Sequence, residues 1–250
     1  MSARWSKKKI VLISIACLLA LIVIAGAVYV GTYYHADLYA ESCISQPPDG
    51  VTIRDISGGL AFYPSAENDA HTGLIFYPGG KVEYTAYAPL MNLLAEEGIT
   101  CVLLHMPCNL AILDIDAAED ARQQFSDIGS WYIGGHSLGG VASAMYLSDN
   151  ADGYDGIIFL GAYSSSDLSA ENIGALSIYG SEDGVMDREK YEESKINLPS
   201  DFTEYVIEGG CHAGFGSYGA QKGDGEPAIT AERQQELAAG LIYDWMEGRK

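Results

Sequence analysis

The chain has 250 residues, 48% of them hydrophobic, which is sufficient for a sizeable core in one large domain or two small ones. Its 34 acidic and 14 basic residues give a formal net charge of −20 at pH 7. A field of this sign repels nucleic acids and anionic lipids, so the composition argues against a nucleic-acid-binding function.

The N-terminal region contains a long uncharged segment, residues 10–30. As a helix with a rise of about 1.5 Å per residue, it would cross the ~30 Å hydrocarbon core of a bilayer. Residues 1–9 carry the basic side chains, and the first charges after the segment, Asp37 and Glu41, are acidic. The positive-inside rule therefore places residues 1–9 in the cytoplasm and the rest of the chain outside, as a single-pass membrane protein. A cleaved signal peptide, which would release a secreted protein, is the alternative.

The segment that follows the apolar run is polar. Residues 31–50 end in Pro47, Pro48 and Gly50, which predicts a short tether. We therefore expect one domain over residues 51–250.

Four cysteines follow the apolar run: Cys43, Cys101, Cys108 and Cys211. Disulfides can form among them if the compartment is oxidising, and three pairings are then available, between which the sequence does not choose. No CxxC motif and no metal-type spacing of Cys and His is present, so no metal site is predicted.

Short apolar runs alternate with helical patterns through this domain. Strands are predicted at 73–77, 100–105, 131–134, 156–161, 175–180 and 202–207, and helices at 87–98, within 114–125, after Ser137, near 186–196 and near 230–247. This alternation is typical of an α/β fold whose parallel sheet is covered by helices on both faces. Only about fourteen residues separate the fourth and fifth predicted strands, too few for a helical lid, so we predict an open pocket.

Ser137 lies at the centre of the sequence Gly-His-Ser-Leu-Gly, where a predicted strand meets a predicted helix. Such an abrupt turn strains the middle residue and brings the residues two positions before and after it close together, so glycine fits at 135 and 139. The turn exposes the hydroxyl at the carboxyl edge of the sheet, beside the N–H groups of the helix N-terminus. The motif therefore predicts that Ser137 is a nucleophile.

A serine hydroxyl needs a base to take its proton. Of the five histidines, four are poorly placed: His35 lies beside the membrane segment, His71 in a polar loop, His105 at a strand end, and His136 directly beside the serine, from which it should point away. His212 remains, in a glycine-containing loop after the last predicted strand. By elimination, we predict that His212 is the base.

A carboxylate must orient that histidine, and in this class of fold the chain order is serine, acid, histidine. Asp183 directly follows the apolar strand 175–180 and is our predicted acid. Glu182 and Asp187 are nearby alternatives, and Asp183 could also be an ordinary turn residue.

Acyl transfer further requires two N–H groups for the developing oxyanion. We expect one from Leu138, the residue after the serine, and one from the loop after the strand 73–77. In that loop Gly79 and Gly80 allow close approach of the backbone to a substrate, so Lys81 or Gly80 is the predicted second donor.

The motifs FYPGGKVEYTAYAPL, MPCNLAIL, GGHSLGG, IYGSEDGV and GGCHAGFG, in this order, resemble the alpha/beta-hydrolase superfamily, in particular its small bacterial dienelactone-hydrolase-like group. The resemblance covers roughly residues 55–248. It implies an alpha/beta-hydrolase fold with an eight-stranded, mostly parallel sheet, nucleophile Ser137, acid Asp183, base His212, and oxyanion donors near Lys81 and Leu138. Dienelactone hydrolases carry cysteine as the nucleophile, so the serine here favours esterase chemistry.

These expectations describe a serine hydrolase that cleaves a carboxylic ester through an acyl-enzyme outside the cytoplasmic membrane. Its partners would be a small-molecule ester or related acyl substrate and the membrane that holds the N-terminal helix. No cofactor and no metal are implied. A peptidase or an acyltransferase would use the same side chains, and a hydrolase scaffold kept as a low-turnover binding module is a further alternative.

Overall fold

The computed structural model describes residues 6–69 and 71–249. Within it the chain divides into two compact units, the first ending at Tyr33 and the second beginning at Tyr34. The sheet and all of the predicted site residues belong to the second unit.

The first unit consists mainly of helix α1 (Lys7–Gly31), whose N-terminus is capped by the Ser6 side chain, the acceptor for the N–H of Lys9. None of its residues is buried. Among the described residues it is the one helix that is long and apolar enough to cross a membrane. The predicted N-terminal span is therefore present by length and composition, a test that a signal sequence in this position also passes.

The segment predicted as a tether, residues 31–50, differs in the structure. Most of it belongs to the second unit and contains helix α2 (Leu38–Ser45), capped by Asp37. The backbone N–H of Asp37 donates to the carbonyl of Ser217 at 2.9 Å, and Ala40 is fully buried. A helix of eight residues with one buried side chain is too short to produce a recognisable periodicity, which is why the sequence pattern indicated only a polar connection.

Eight strands form a single sheet: β1 (Thr52–Ile56), β2 (Gly59–Tyr63), β3 (Thr72–Tyr77), β4 (Ile99–Leu104), β5 (Ser130–His136), β6 (Gly156–Leu160), β7 (Gly174–Gly180) and β8 (Asp201–Ile207). Their order is β1-β2-β4-β3-β5-β6-β7-β8. Strand β2 pairs antiparallel with β1 and β4, and every later pair is parallel. The predicted eight-stranded, mostly parallel sheet is confirmed.

The remaining helices are α3 (Ala88–Glu96), α4 (Ala117–Arg122), α5 (Leu138–Asn150), α6 (Arg188–Ser194) and α7 (Ala231–Glu247), with short 3₁₀ turns at Tyr84–Tyr87, Pro107–Asn109, Ala111–Leu113, Lys195–Asn197 and Ala213–Phe215. Side chains of each central strand alternate between two hydrophobic clusters. In β3, Leu74 and Phe76 join the cluster that contains α3 and α7, whereas Ile75 and Tyr77 join the cluster that contains α4 and α5. Helices therefore cover both faces of the sheet, as predicted.

Strands β1 and β2 were not located by the sequence pattern. They form an antiparallel hairpin at one edge of the sheet, and β1 consists of exposed and half-buried residues instead of a continuous apolar run. The connection between β6 and β7, where a lid would be inserted, contains neither helix nor strand. The prediction that a large lid is absent is therefore confirmed.

All five cysteines lie among the described residues, and all are free. None of the three pairings that the sequence allowed is therefore formed. Cys101 and Cys211 are buried, and burial is the main cause that raises the pKa of the Cys211 thiol to about 11.

Candidate active site

Ser137 stands between the last residue of β5 and the first residue of α5, in a strained backbone conformation. Its φ is 51° and its ψ is −121°, a region that residues other than glycine rarely adopt. The Ser137 N–H donates to the carbonyl of Leu160 at the end of β6, at 2.9 Å. This is the sharp strand-to-helix turn that the motif predicted.

Gly135 and Gly139 face each other across this turn. A Cβ on Gly135 would lie 2.5 Å from both the carbonyl carbon of Gly139 and the carbonyl oxygen of Tyr77, and a Cβ on Gly139 would overlap that same oxygen. Any side chain at either position would push β5 away from α5 or from β3. The steric reason predicted for these two glycines is confirmed.

Asp183 and His212 form a buried pair at the carboxyl edge of the sheet. Asp183 Oδ2 lies 2.8 Å from His212 Nδ1, and the two side chains are 0% and 1% exposed. Asp183 Oδ1 accepts the N–H groups of Val185 at 2.9 Å and Met186 at 2.8 Å. Because both carboxylate oxygens have fixed donors, the carboxylate can orient the imidazole with its proton on Nδ1.

The two alternative acids are engaged elsewhere. Glu182 is exposed, and its carboxylate accepts the hydroxyl of Ser181 at 3.1 Å. Asp187 caps helix α6 by accepting the N–H of Lys190 at 3.2 Å. Of the three carboxylates considered, the structure therefore brings Asp183 to His212.

A cavity of about 220 Å³ connects the serine and the histidine. Its lining consists of Ser137, Leu138, Val141, Gly161, Ala162, Tyr163, Val185, Met186, Asp187 and His212. His212 Nε2 is buried and has no hydrogen-bond partner within the described residues. With Nδ1 bound to Asp183, Nε2 is the nitrogen left to accept a proton at this cavity. No group of three or more His, Cys, Asp or Glu in the described part of the chain is placed to hold a metal ion.

His136 belongs to a second buried network behind the serine. Its Nδ1 lies 2.7 Å from the hydroxyl of Tyr87, which also accepts the N–H of Gly79 at 3.0 Å. Burial is the main cause, and the proximity of His212 the second, that lowers the pKa of His136 well below its ordinary value, so the ring stays neutral. The side chain expected to point away from Ser137 thus anchors the start of the loop after β3.

The loop after β3 contains both candidates for the second oxyanion donor, and its structure shows that one of them, Lys81, was predicted wrongly. The N–H of Lys81 donates to the carbonyl of Asn109 at 2.7 Å, so it is not directed at the cavity, and Lys81 adopts a φ of 61°. Gly80 lies against Leu138, because a Cβ on Gly80 would lie 2.8 Å from Leu138 Cδ2. Leu138 is the first residue of α5, and its N–H therefore has no acceptor inside the helix. Gly80 and Leu138 stay the predicted donors.

One further residue of the site was missed by sequence reasoning. The Asp224 carboxylate accepts the N–H groups of His212 at 3.1 Å, Ala213 at 2.7 Å and Gly184 at 3.1 Å. Burial raises the pKa of Asp224, but these backbone hydrogen bonds outweigh it, so the pKa lies below its ordinary value. The only local signal is a carboxylate between two glycines in the sequence GDG, which equally describes a surface turn.

Comparison with known proteins agrees with this architecture. The family model described as alpha/beta hydrolase family matches residues 73–236. Est1E from Butyrivibrio proteoclasticus superimposes with a TM-score of 0.55 at 13% identity, over 80% of this chain and 99% of that chain. A predicted CIB-like hydrolase from Thermoplasma acidophilum gives a TM-score of 0.54 at 15% identity, over 78% of this chain and 100% of that chain.

At these identities the two structures show a shared fold alone. A search of curated proteins gave no match. The family match covers well over half of the chain and includes the strand-turn-helix around Ser137 and the loops of Asp183 and His212. The chain therefore belongs to the alpha/beta hydrolase family.

Proposed function

We propose that the protein is a serine hydrolase that cleaves a carboxylic ester through an acyl-enzyme. The observation that carries this proposal is the buried Asp183–His212 pair, whose histidine lines the same cavity as the strained Ser137. A nucleophile, a base and a group that orients the base are the minimum for acyl transfer by a serine. Besides the ester and water, the proposed chemistry uses these three side chains and two backbone N–H donors.

The reaction would begin with attack of Ser137 Oγ on the ester carbonyl while His212 Nε2 takes the hydroxyl proton. The tetrahedral oxyanion would accept hydrogen bonds from the N–H groups of Leu138 and Gly80. The imidazolium, stabilised by Asp183, then protonates the departing alcohol. Water, deprotonated by His212, attacks the acyl-enzyme, releases the carboxylic acid and restores Ser137.

The proposal is tested by covalent labelling of the full-length protein in detergent micelles with a fluorophosphonate. We expect one adduct by intact mass, absent from Ser137→Ala. Ser148→Ala, which removes a half-buried serine hydroxyl from helix α5, the helix that follows Ser137, is the matched control and should label normally. Absence of labelling in the unmodified protein would favour a binding module, and persistent labelling of Ser137→Ala would exclude this serine as the nucleophile.

Short acyl chains should be preferred. The cavity measures only about 220 Å³, and the connection between β6 and β7 forms no helical lid, so a long chain finds little apolar wall on which to recover about 0.8 kcal/mol per methylene. We expect kcat/KM to be highest for acetyl to butyryl esters and to fall towards palmitoyl, measured with a series that shares one leaving group. A steady rise with chain length would contradict this preference.

Gly80→Pro should lower kcat by about 10²–10³-fold, because it deletes one N–H donor to the oxyanion. Gly80→Ala is the matched control, since it adds a Cβ against Leu138 as proline does but keeps the N–H. Initial rates of both variants, with thermal unfolding to verify folding, give the comparison. Equal rates for the two variants would mean that crowding, and not loss of the donor, limits the reaction.

We also propose that helix α1 is retained as a membrane anchor, with the second unit outside the cytoplasmic membrane. The support is the length of the apolar helix and the basic residues Lys7, Lys8 and Lys9 at its start. The full-length protein is then expected to stay with membranes after carbonate washing. A soluble mature chain that begins near residue 30, identified by N-terminal mass analysis, would show instead that a signal peptidase removes the helix.

A further inference from the structure

We propose that Asp224 is a positioning residue that holds the loop of the acid and the loop of the base at a fixed separation; its catalytic consequence rests on the function proposed above. Asp224 Oδ1 accepts the N–H of Gly184 at 3.1 Å, directly after Asp183. The same oxygen accepts the N–H of His212 at 3.1 Å, and Oδ2 accepts that of Ala213 at 2.7 Å. One carboxylate thus binds the backbone of the loop that carries the acid and the backbone of the loop that carries the base.

The two loops need such a connection because they leave different strands. The acid loop follows β7 and the base loop follows β8, and the parallel pairing of these strands ends at Gly180 and Ile207. Beyond those residues the N–H of Glu182 donates to the carbonyl of Gly210 at 2.8 Å, and the N–H of Gly209 donates to Ser181 Oγ at 2.8 Å. Neither of these two hydrogen bonds is made by Asp183 or His212. Hydrogen bonds to an ionised carboxylate are roughly twice as strong as those between neutral groups, so Asp224 is well suited to extend this connection to the positions of the acid and the base.

Glycines allow the loop that carries Asp224 to approach the acid loop closely. A Cβ on Gly184 would lie 2.8 Å from both the carbonyl oxygen of Gly223 and the nitrogen of Gly225, and a Cβ on Gly225 would overlap the carbonyl oxygen of Glu182. The N–H of Gly225 also donates to Asp224 Oδ1 at 2.9 Å. This close backbone contact is independent of the hydrogen bonds to the base loop, and it fixes the carboxylate itself against the acid loop.

The consequence for catalysis follows from geometry. If the two loops drift apart, the Asp183–His212 hydrogen bond lengthens and Nε2 turns away from Ser137. A misplacement of about 1 Å in a reacting group can lower the rate about 10²-fold. Loss of Asp224 should therefore lower kcat while leaving KM nearly unchanged, because its hydrogen bonds are made to the backbone of the acid and base loops and not to the apolar residues of the cavity, such as Leu138, Val141 and Ala162.

The test compares Asp224→Asn with Glu226→Gln in the full-length protein in detergent. Asparagine keeps one oxygen but turns an NH₂ group towards backbone N–H donors. The control removes the same charge two residues away, from an exposed side chain that makes no hydrogen bond within the described residues. We expect Asp224→Asn to lower kcat about 10²-fold at nearly constant KM and to accelerate hydrogen exchange in peptides covering residues 181–187 and 208–216. Glu226→Gln should change neither.

Two results would overturn the inference. One is an Asp224→Asn variant with unchanged kcat and unchanged exchange in both loops. The other is exchange that also accelerates throughout β5 and α5, which would show a general loss of stability instead of a local one. If Ser137→Ala retains turnover, the proposed function fails, and exchange in the two loops then decides the role of Asp224 without reference to catalysis.

Discussion

Replacing Ser137 with alanine is expected to lower kcat for ester hydrolysis by about 10⁶-fold, and His212→Ala should lower it about as much. The two side chains act in one proton transfer, so removal of either disables both. Folding should be preserved, because alanine at 137 keeps the same φ of 51° and removes only a hydroxyl. Initial rates with a short-chain ester, together with thermal unfolding of each variant, give the measurement.

The control for the histidine is His105→Ala, which removes an exposed imidazole at the end of β4 and should leave the rate unchanged. Near-normal turnover by His212→Ala would show that the base lies elsewhere. Loss of turnover accompanied by a large fall in the midpoint of thermal unfolding would mean that the substitution disrupted the buried pair and its loop instead of the chemistry.

Asp183→Asn is expected to lower kcat by about 10⁴-fold. The amide NH₂ would donate to His212 Nδ1, which would then be unprotonated, so the proton would sit on Nε2 and the ring could not accept the serine proton. The substitution keeps the size of a side chain that is 0% exposed, so the local packing should be preserved. The rate is measured at a pH where the unmodified protein is fully active.

Glu182→Gln is the matched control, because it removes a neighbouring carboxylate that is exposed and does not contact His212. We expect it to retain full activity. The reverse pattern, an active Asp183→Asn and an inactive Glu182→Gln, would assign the acid to Glu182 and would require the acid loop to rearrange in solution.

The amino-acid pattern by itself determined the central architecture. Strands buried on both faces must be continuously apolar, and this pattern locates β3 to β7. Strand β8, which is largely exposed or half-buried, was located by its aromatic and β-branched residues. The turn around Ser137 is recognisable from five residues, in which Gly135 and Gly139 crowd each other, although both also crowd the carbonyl oxygen of Tyr77 in β3, a partner that only the fold supplies. The apolar run of α1 is identified by its length.

Tertiary structure alone decided the features that depend on distant partners. Strand β1 lies at the sheet edge and is half exposed, so its residues carry no buried pattern. Lys81 lost its expected role because its N–H is taken by a carbonyl 28 residues later, at Asn109. Asp224 is 12 residues from His212 and 40 from Gly184, yet it binds both. The physical reason is that a backbone N–H group donates its hydrogen bond to whichever acceptor the fold brings near. Sequence spacing does not specify that acceptor.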